Sequence, residues 1–230
     1  MSRIKGGESS MAGRQLASKW LKTEALLSDP QVAPYIPATQ SYGGDTLVSM
    51  LDEHEMVVIK PIVGTGGNGV IRIQKDGTGY LVTHKRRTVH VDTLNSLLYV
   101  LNRMKLRRRY MIQQGIHLAK IQGRPLDYRV KVVKERGRWE FRAMLGRLAS
   151  PGLFVTNICK GGMLLRCRHA LRLSLPHINA REKRNEMRHL TRQCITILES
   201  RFPGIGELGF DYGLDVEGKI WILEVNTRPS

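Results

Sequence analysis

The sequence predicts an α+β protein of two lobes, and three observations carry that expectation. Strand-like runs come in adjacent pairs joined by glycine-bearing turns, one pair around the glycine-rich centre of residues 56–74 and another around Glu217-Gly218. Apolar residues recur at helical spacing in residues 15–27 and 180–201. The chain has 230 residues, 41% of them hydrophobic, which suits one large domain or two small lobes.

Composition narrows the function classes. No apolar run approaches the roughly 20 residues of a membrane span, and no signal-peptide pattern opens the chain, so the cytoplasm is the expected location. Cys159, Cys167 and Cys194 are odd in number and lack metal or redox spacing, which leaves them structural. Charge is the outstanding property. With 37 Lys and Arg against 20 Asp and Glu the formal net charge is +17, more than a nucleotide alone requires. Basic residues crowd into residues 84–87, 103–109 and 181–192, while between Tyr99 and Arg147 the acids are Asp127, Glu135 and Glu140. Each run reads either as a solvated face or as a seat for an acidic peptide, a protein, nucleic acid or another polyanion. Sparse aromatics weigh against stacking on single strands.

Residues 1–14 are polar and glycine-containing and are expected to be flexible. Leu16, Trp20, Ala25 and Leu27, with Lys19, Lys22 and Glu24 between them, predict an amphipathic helix over 15–27 that Asp29-Pro30 ends. Asp45 is expected to cap a helix over 46–53. Gly64, Gly66 and Gly69 then match G-x-G-x-x-G, but Val70, Ile71 and Ile73 alternate as a strand rather than opening a helix. The glycines therefore tip a hairpin whose amides can close over phosphates, and the missing G-K-[ST] excludes a Walker loop. Lys60, at the end of the entering strand, is either a phosphate ligand or a snorkelling edge lysine. A strand over 80–84 and a helix over 91–105 complete a first lobe, residues 15–112. A strand over 109–116 crosses into the second, residues 113–230. Strands over 126–133 and 139–149 carry Arg129, Arg142 and Arg147, which suit one face of an anion site better than a core. The loop over 150–162, with Asn157 and Lys160, reads as a lid or a surface turn.

The last hairpin is the chemical focus. A two-residue turn at Glu217-Gly218 sets Val216 opposite Lys219 and Asp211 opposite Glu224, with Asn226 on the same face as Glu224. Two carboxylates and an amide suit magnesium beside substrate phosphates. An exposed polar face is the alternative. Against it stand Ile220, Trp221, Ile222, Leu223 and Val225, a run apolar on both faces, where a carboxylate is costly unless a cation compensates it.

The order of these motifs resembles the ATP-grasp superfamily, closest to its endospore-coat-associated YheC/YheD branch. The carrying stretches are IKPIVGTGGNG at 59–69, IQQGIHL at 112–118, RPLDYRV at 124–130, FVTNICKGG at 154–162 and LGFDYGLDVEGKIWILEVNTRPS at 208–230. The resemblance implies an ATP-grasp fold, two α+β subdomains clamping ATP between antiparallel sheets. It implies that Gln113, Gln114 and Ile116 meet the nucleoside, that Lys60, Gly64, Gly66, Gly67 and Gly69 hold phosphates, and that Asp211, Glu224 and Asn226 hold magnesium or manganese. Arg129, Asn157 and Arg147 would sit by the γ-phosphate and the acceptor. The implied reaction is ADP-forming ligation: an unknown carboxylate becomes an acyl phosphate that an unknown amine or thiol captures. The resemblance also leads us to expect a partner chain in place of the family's usual N-terminal domain, and a spore-coat association. Two rival readings are a phosphotransferase and a basic binding protein with a vestigial nucleotide site. FDYG at 210–213 is similar to the protein-kinase metal motif, but the lysine precedes the glycine loop and H-R-D is missing.

Overall fold

The computed structural model describes residues 15–156 and 161–227. Its strands form two antiparallel sheets, and residue alternation decides which face of each is covered. The first contains β1 (Thr39–Ser41), β2 (Met56–Pro61), β3 (Ile71–Asp76), β4 (Gly79–His84), β5 (Arg87–Val91) and β6 (Tyr110–Gln114), in the order β1-β6-β2-β3-β4-β5. Val57, Ile59, Ile71, Ile73 and Val82 fill one face. Against them pack α2 (Gly44–His54), through Leu47 and Leu51, and α3 (Leu94–Met104), through Leu97 and Leu101. Helix α2 begins before Asp45, which therefore lies in the first turn, favourable to the helix dipole, instead of capping. Helix α3 begins after the expected Val91 because that residue ends β5 and Thr93 caps, its hydroxyl accepting from Ser96 N at 3.2 Å. The basic run at 84–87 is the turn of the β4–β5 hairpin, with Lys85 at φ 57°.

The second sheet contains β7 (Lys120–Ile121), β8 (Arg124–Glu135), β9 (Arg138–Leu148), β10 (Met163–Arg166), β11 (Glu207–Leu214) and β12 (Ile220–Asn226), in the order β10-β9-β8-β11-β12 with β7 on β8. Tyr128, Val130, Val132, Phe210 and Tyr212 face a core closed by α4 (Cys167–Ser174) and α5 (Ala180–Arg201). The Tyr212 hydroxyl, buried with its ring, meets Thr191 Oγ1 at 2.8 Å, which satisfies a group that would otherwise be costly to bury. Cys167 and Cys194 are buried free thiols, and burial pushes Cys167 up to about 11, away from thiolate chemistry.

Two elements sit differently from the sequence expectation. Helix α1 (Lys19–Leu27) starts at the Ser18 cap, and its Ala25 and Leu26 belong to the second core, where the helix packs on α5 and β12. An amphipathic stripe fixes that a helix is half buried but not against what. Strand β6 lies inside the first sheet, between β1 and β2, and the chain leaves that sheet only after Gln114.

Candidate functional site

The β2–β3 hairpin supplies one wall of a cleft between the sheets. Ile59 pairs with Ile71, so residues 62–70 form its loop. Gly69 is required there: it sits at φ +76°, and a Cβ would come within 2.7 Å of the Tyr110 hydroxyl and 3.0 Å of Pro61. Gly69 thus shapes the loop from behind, while Gly64, Gly66 and Gly67 line the cleft. Lys60 points from the end of β2 into the interior, where Nζ donates to Gln113 Oε1 at 2.6 Å and to the Leu223 carbonyl at 2.9 Å. Burial lowers its pKa to about 8, although Glu224 and Asp211 pull it back up.

The β11–β12 hairpin supplies the opposite wall, and its register corrects the expected turn. Asp215, not Val216, meets Lys219, and Leu214 pairs with Ile220. The loop holds three residues, with Gly218 at φ +85° and the Asp215 carboxylate accepting from Glu217 N at 3.1 Å and Lys219 N at 2.9 Å. Taken alone, that turn would put Asp211 opposite Leu223. A β-bulge shifts the pairing between Asp211 and Tyr212, leaves Leu223 as the extra residue, and restores Asp211 opposite Glu224. The same bulge switches the strand's parity. Ile220 and Ile222 face the core before it and Val225 after it, so Glu224 and Asn226 turn to the cleft beside Asp211. It also presents the Leu223 carbonyl that Lys60 bonds, joining the two hairpins.

Strands β8 and β9 add charge to this face. Because Tyr128 and Val130 point into the core, Asp127 and Arg129 point into the cleft. Arg129 Nε pairs with Asp211, with a second contact from Nη2 at 3.2 Å. Arg147 Nη2 lies 3.0 Å from Asp211 Oδ1, and its Nε donates to Asp127 Oδ1 at 2.7 Å. Arg147 and Asp127 are 6% and 3% exposed, so neither has bulk water as an alternative partner. Burial lifts Asp127 to about 6 in spite of the Arg147 and Thr156 hydrogen bonds; burial also opposes charge on Arg147, but Asp211 and Asp127 outweigh it and push its pKa up. Arg142, expected with these arginines, is half-exposed beside Glu135 and does not line the cleft: five residues from Arg147, it is off that residue's face by alternation, and it is the unpaired residue where β9 is irregular opposite Lys131 and Val132.

Helix α1 brings two lysines that the sequence reading left on a polar stripe. Lys19 Nζ donates to the Gly64 carbonyl of the glycine loop and lies 3.5 Å from Glu224 Oε1, so it touches both walls. Lys22, 3% exposed, donates to Leu16 O at 2.8 Å; burial lowers its pKa to about 8. The end of β6 and the stretch after it form the floor, where Gln113, Gln114 and Ile116 line the cleft. Its strand donors are engaged, Gln114 N with Ala38 O and Gly115 N with Met56 O, both at 2.8 Å. Asn157 lies outside the described residues. Lys19, Lys22, Asp127 and Thr156 are among the cleft residues that sequence reasoning missed. For Asp127 a signal existed, an acid two residues before Arg129 on one strand face.

The cleft has a volume of about 1240 Å³, room for a nucleotide and a second substrate. Among the described residues no cluster of three or more His, Cys, Asp or Glu side chains forms a self-contained metal cage. Asp211, Glu224 and Asn226 fit magnesium in its other mode, in which one or two carboxylates share the ion with substrate phosphate.

Two antiparallel sheets closing on a cleft, with a glycine hairpin and lysine on one and acidic strand ends on the other, define an ATP-grasp protein. The chain belongs to the YheC/D-like ATP-grasp family, whose model matches residues 9–230. It is 28% identical over 224 residues to the endospore coat-associated protein YheD of Bacillus subtilis (strain 168), covering 93% of this chain and 48% of that protein. It is 24% identical over 223 residues to the endospore coat-associated protein YheC of the same organism, covering 95% of this chain and 61% of that one. The chain therefore spans about half to three-fifths of the length of these relatives. Among the described residues no helix is long and apolar enough to cross a membrane.

Proposed function

We propose that the cleft binds ATP with magnesium and joins a carboxylate to an amine or thiol, releasing ADP and phosphate. The observation that carries this reading is Lys60, buried between the sheets and bonded to Gln113 on one side and Leu223 on the other, with Asp211 and Glu224 across from the glycine loop. In the proposed reaction a carboxylate oxygen attacks the γ-phosphorus, the bond to the β,γ-bridging oxygen breaks, and ADP leaves. The nucleophile then attacks the acyl carbon, the acyl–oxygen bond to phosphate breaks, and its proton passes to solvent.

Lys60 and Lys19 neutralise phosphate charge, and the loop at Gly64, Gly66 and Gly67 lets backbone approach the phosphates closely. Asp211, Glu224 and Asn226 would hold magnesium, which when bound supplies further charge neutralisation. Arg129 faces the transferred group. Arg147 is a positioning residue, since its guanidinium is committed to Asp127 and Asp211. Gln114 and Ile116 border the nucleoside end. The finer assignment of a spore-coat location rests on the relatives' names. The test is magnesium-dependent ADP release screened across amino acids and acidic peptides, with amines and thiols as acceptors. Release of ADP that requires both substrates supports ligation; AMP and pyrophosphate as the main products overturn it.

A further inference from the structure

The second sheet leaves part of one edge open. Strand β10 pairs with β9 from Met163↔Leu148 to Arg166↔Leu145, and the chain then turns into α4. Residues 138–144 of β9 consequently have β8 on one side and, among the described residues, no strand on the other. An edge of this kind offers backbone donors and acceptors to an added strand. The vacant position lies in line with β10, so a guest would extend an existing strand course.

The flank of that edge is strongly cationic. Arg184, Arg188 and Arg192 follow one another at four-residue steps along one face of α5. The Arg188 and Arg192 guanidinium groups lie over the ring of Phe141 in the edge strand, 4.3 and 5.3 Å from its centroid. Arg184 Nε is buried without a hydrogen-bond partner. Three neighbouring acids are engaged elsewhere, Glu186 with Lys183, Glu199 with Lys134 and Trp139, and Glu135 with Arg142, while Glu140 of the edge strand is exposed on the face opposite Phe141 and the arginines. Burial and repulsion from its two neighbours both lower the Arg188 pKa, as expected of three guanidinium groups without an anion.

We propose that this edge binds an extended acidic segment of a partner polypeptide, added as a strand against residues 138–144 with carboxylates on Arg184, Arg188 and Arg192. A second copy of a chain carrying a net charge of +17 is repelled from the same edge. The inference concerns binding alone and stands apart from ATP turnover, so failure of either reading leaves the other in place.

Fluorescence anisotropy with a labelled alternating glutamate–valine peptide, without nucleotide, tests it. Binding is expected, and the variant R188S/R192S should weaken it about tenfold or more. The same peptide N-methylated on alternate residues keeps its charge but loses strand donors, and should also bind at least tenfold more weakly to the unchanged protein. That arm decides the question even where the double variant fails to fold. The proposal is overturned by no binding, by equal binding of the N-methylated peptide, or by duplex DNA of matched charge displacing the peptide at equal concentration, which would mark plain polyanion attraction.

Discussion

The cleft is built from two hairpins that solve opposite problems. In β2–β3 the loop is long and glycine-rich, and the charges that its stem turns to the cleft, Lys60 and Arg72, are cationic. In β11–β12 the turn is short, and the acidic groups lie in the stem, fixed by paired strands and arginines. The first leaves its backbone free to meet phosphates. The second holds carboxylates that would repel one another without cations. A phosphate-binding loop gains from open backbone, whereas a metal seat gains from rigid spacing, and sequence composition follows that division.

The largest expected effect comes from breaking the rigid wall. Arg147→Leu removes the shared partner of Asp127 and Asp211 in a site with almost no solvent. Leaving a buried charge unpaired is expected to lower unfolding free energy by about 3–5 kcal/mol, measurable by denaturant titration. A loss below about 1 kcal/mol would mean that the wall is not held as described. Next is Glu224→Gln, which keeps side-chain shape and removes the charge beside Asp211. ADP formation should slow by roughly 100-fold over a magnesium titration. Glu217→Gln, the same chemical change in the exposed turn, should turn over at the normal rate.

How far these walls were legible in the sequence follows from what pattern can encode. The stems were legible because strand periodicity and glycine spacing are local, and Asp211 was paired correctly with Glu224. That pairing nevertheless rested on a two-residue turn that does not form; the longer turn and the bulge at Leu223 offset each other. The missed signal is arithmetical: Ile220, Ile222 and Val225 cannot share one face of a regular strand. Lys19 and Lys22 were illegible for a different reason. A helix's polar stripe is identical whether it meets solvent or a cleft, and only the packing of Ala25 and Leu26 on the second core turns those lysines inward.

The buried lysines sharpen the contrast through pH. Lys60 and Lys22 have folded pKa values of about 8 against an ordinary 10.5, so the unfolded chain binds more protons between those limits. Unfolding free energy should therefore rise with pH across that window, by roughly 1–3 kcal/mol per lysine where the fold otherwise tolerates alkali. Lys60→Met should reduce the rise. An unchanged slope in chemical denaturation would show that Lys60 is hydrated. Asp127, raised to about 6, works in the opposite sense, its contribution falling as pH climbs from about 4 to 6.

The smallest effect separates turn from stem. Asp215 accepts from Glu217 N, Lys219 N and the Trp221 indole at 2.9–3.1 Å, so it closes the turn without lining the cleft. Asp215→Ala should cost about 1–2 kcal/mol of stability, since three donors lose an acceptor but two of them lie at the surface. The metal seat should be untouched, because Asp211 is also held by its pairing with Arg129 on β8 and by the Arg129 and Arg147 guanidinium groups, which do not depend on the turn's side-chain acceptor. ADP release at saturating magnesium should thus match the unchanged protein at temperatures where both are folded. A variant that is folded yet loses turnover in proportion to Glu224→Gln would show that the turn fixes the register of the whole hairpin, and that the bulge follows from it.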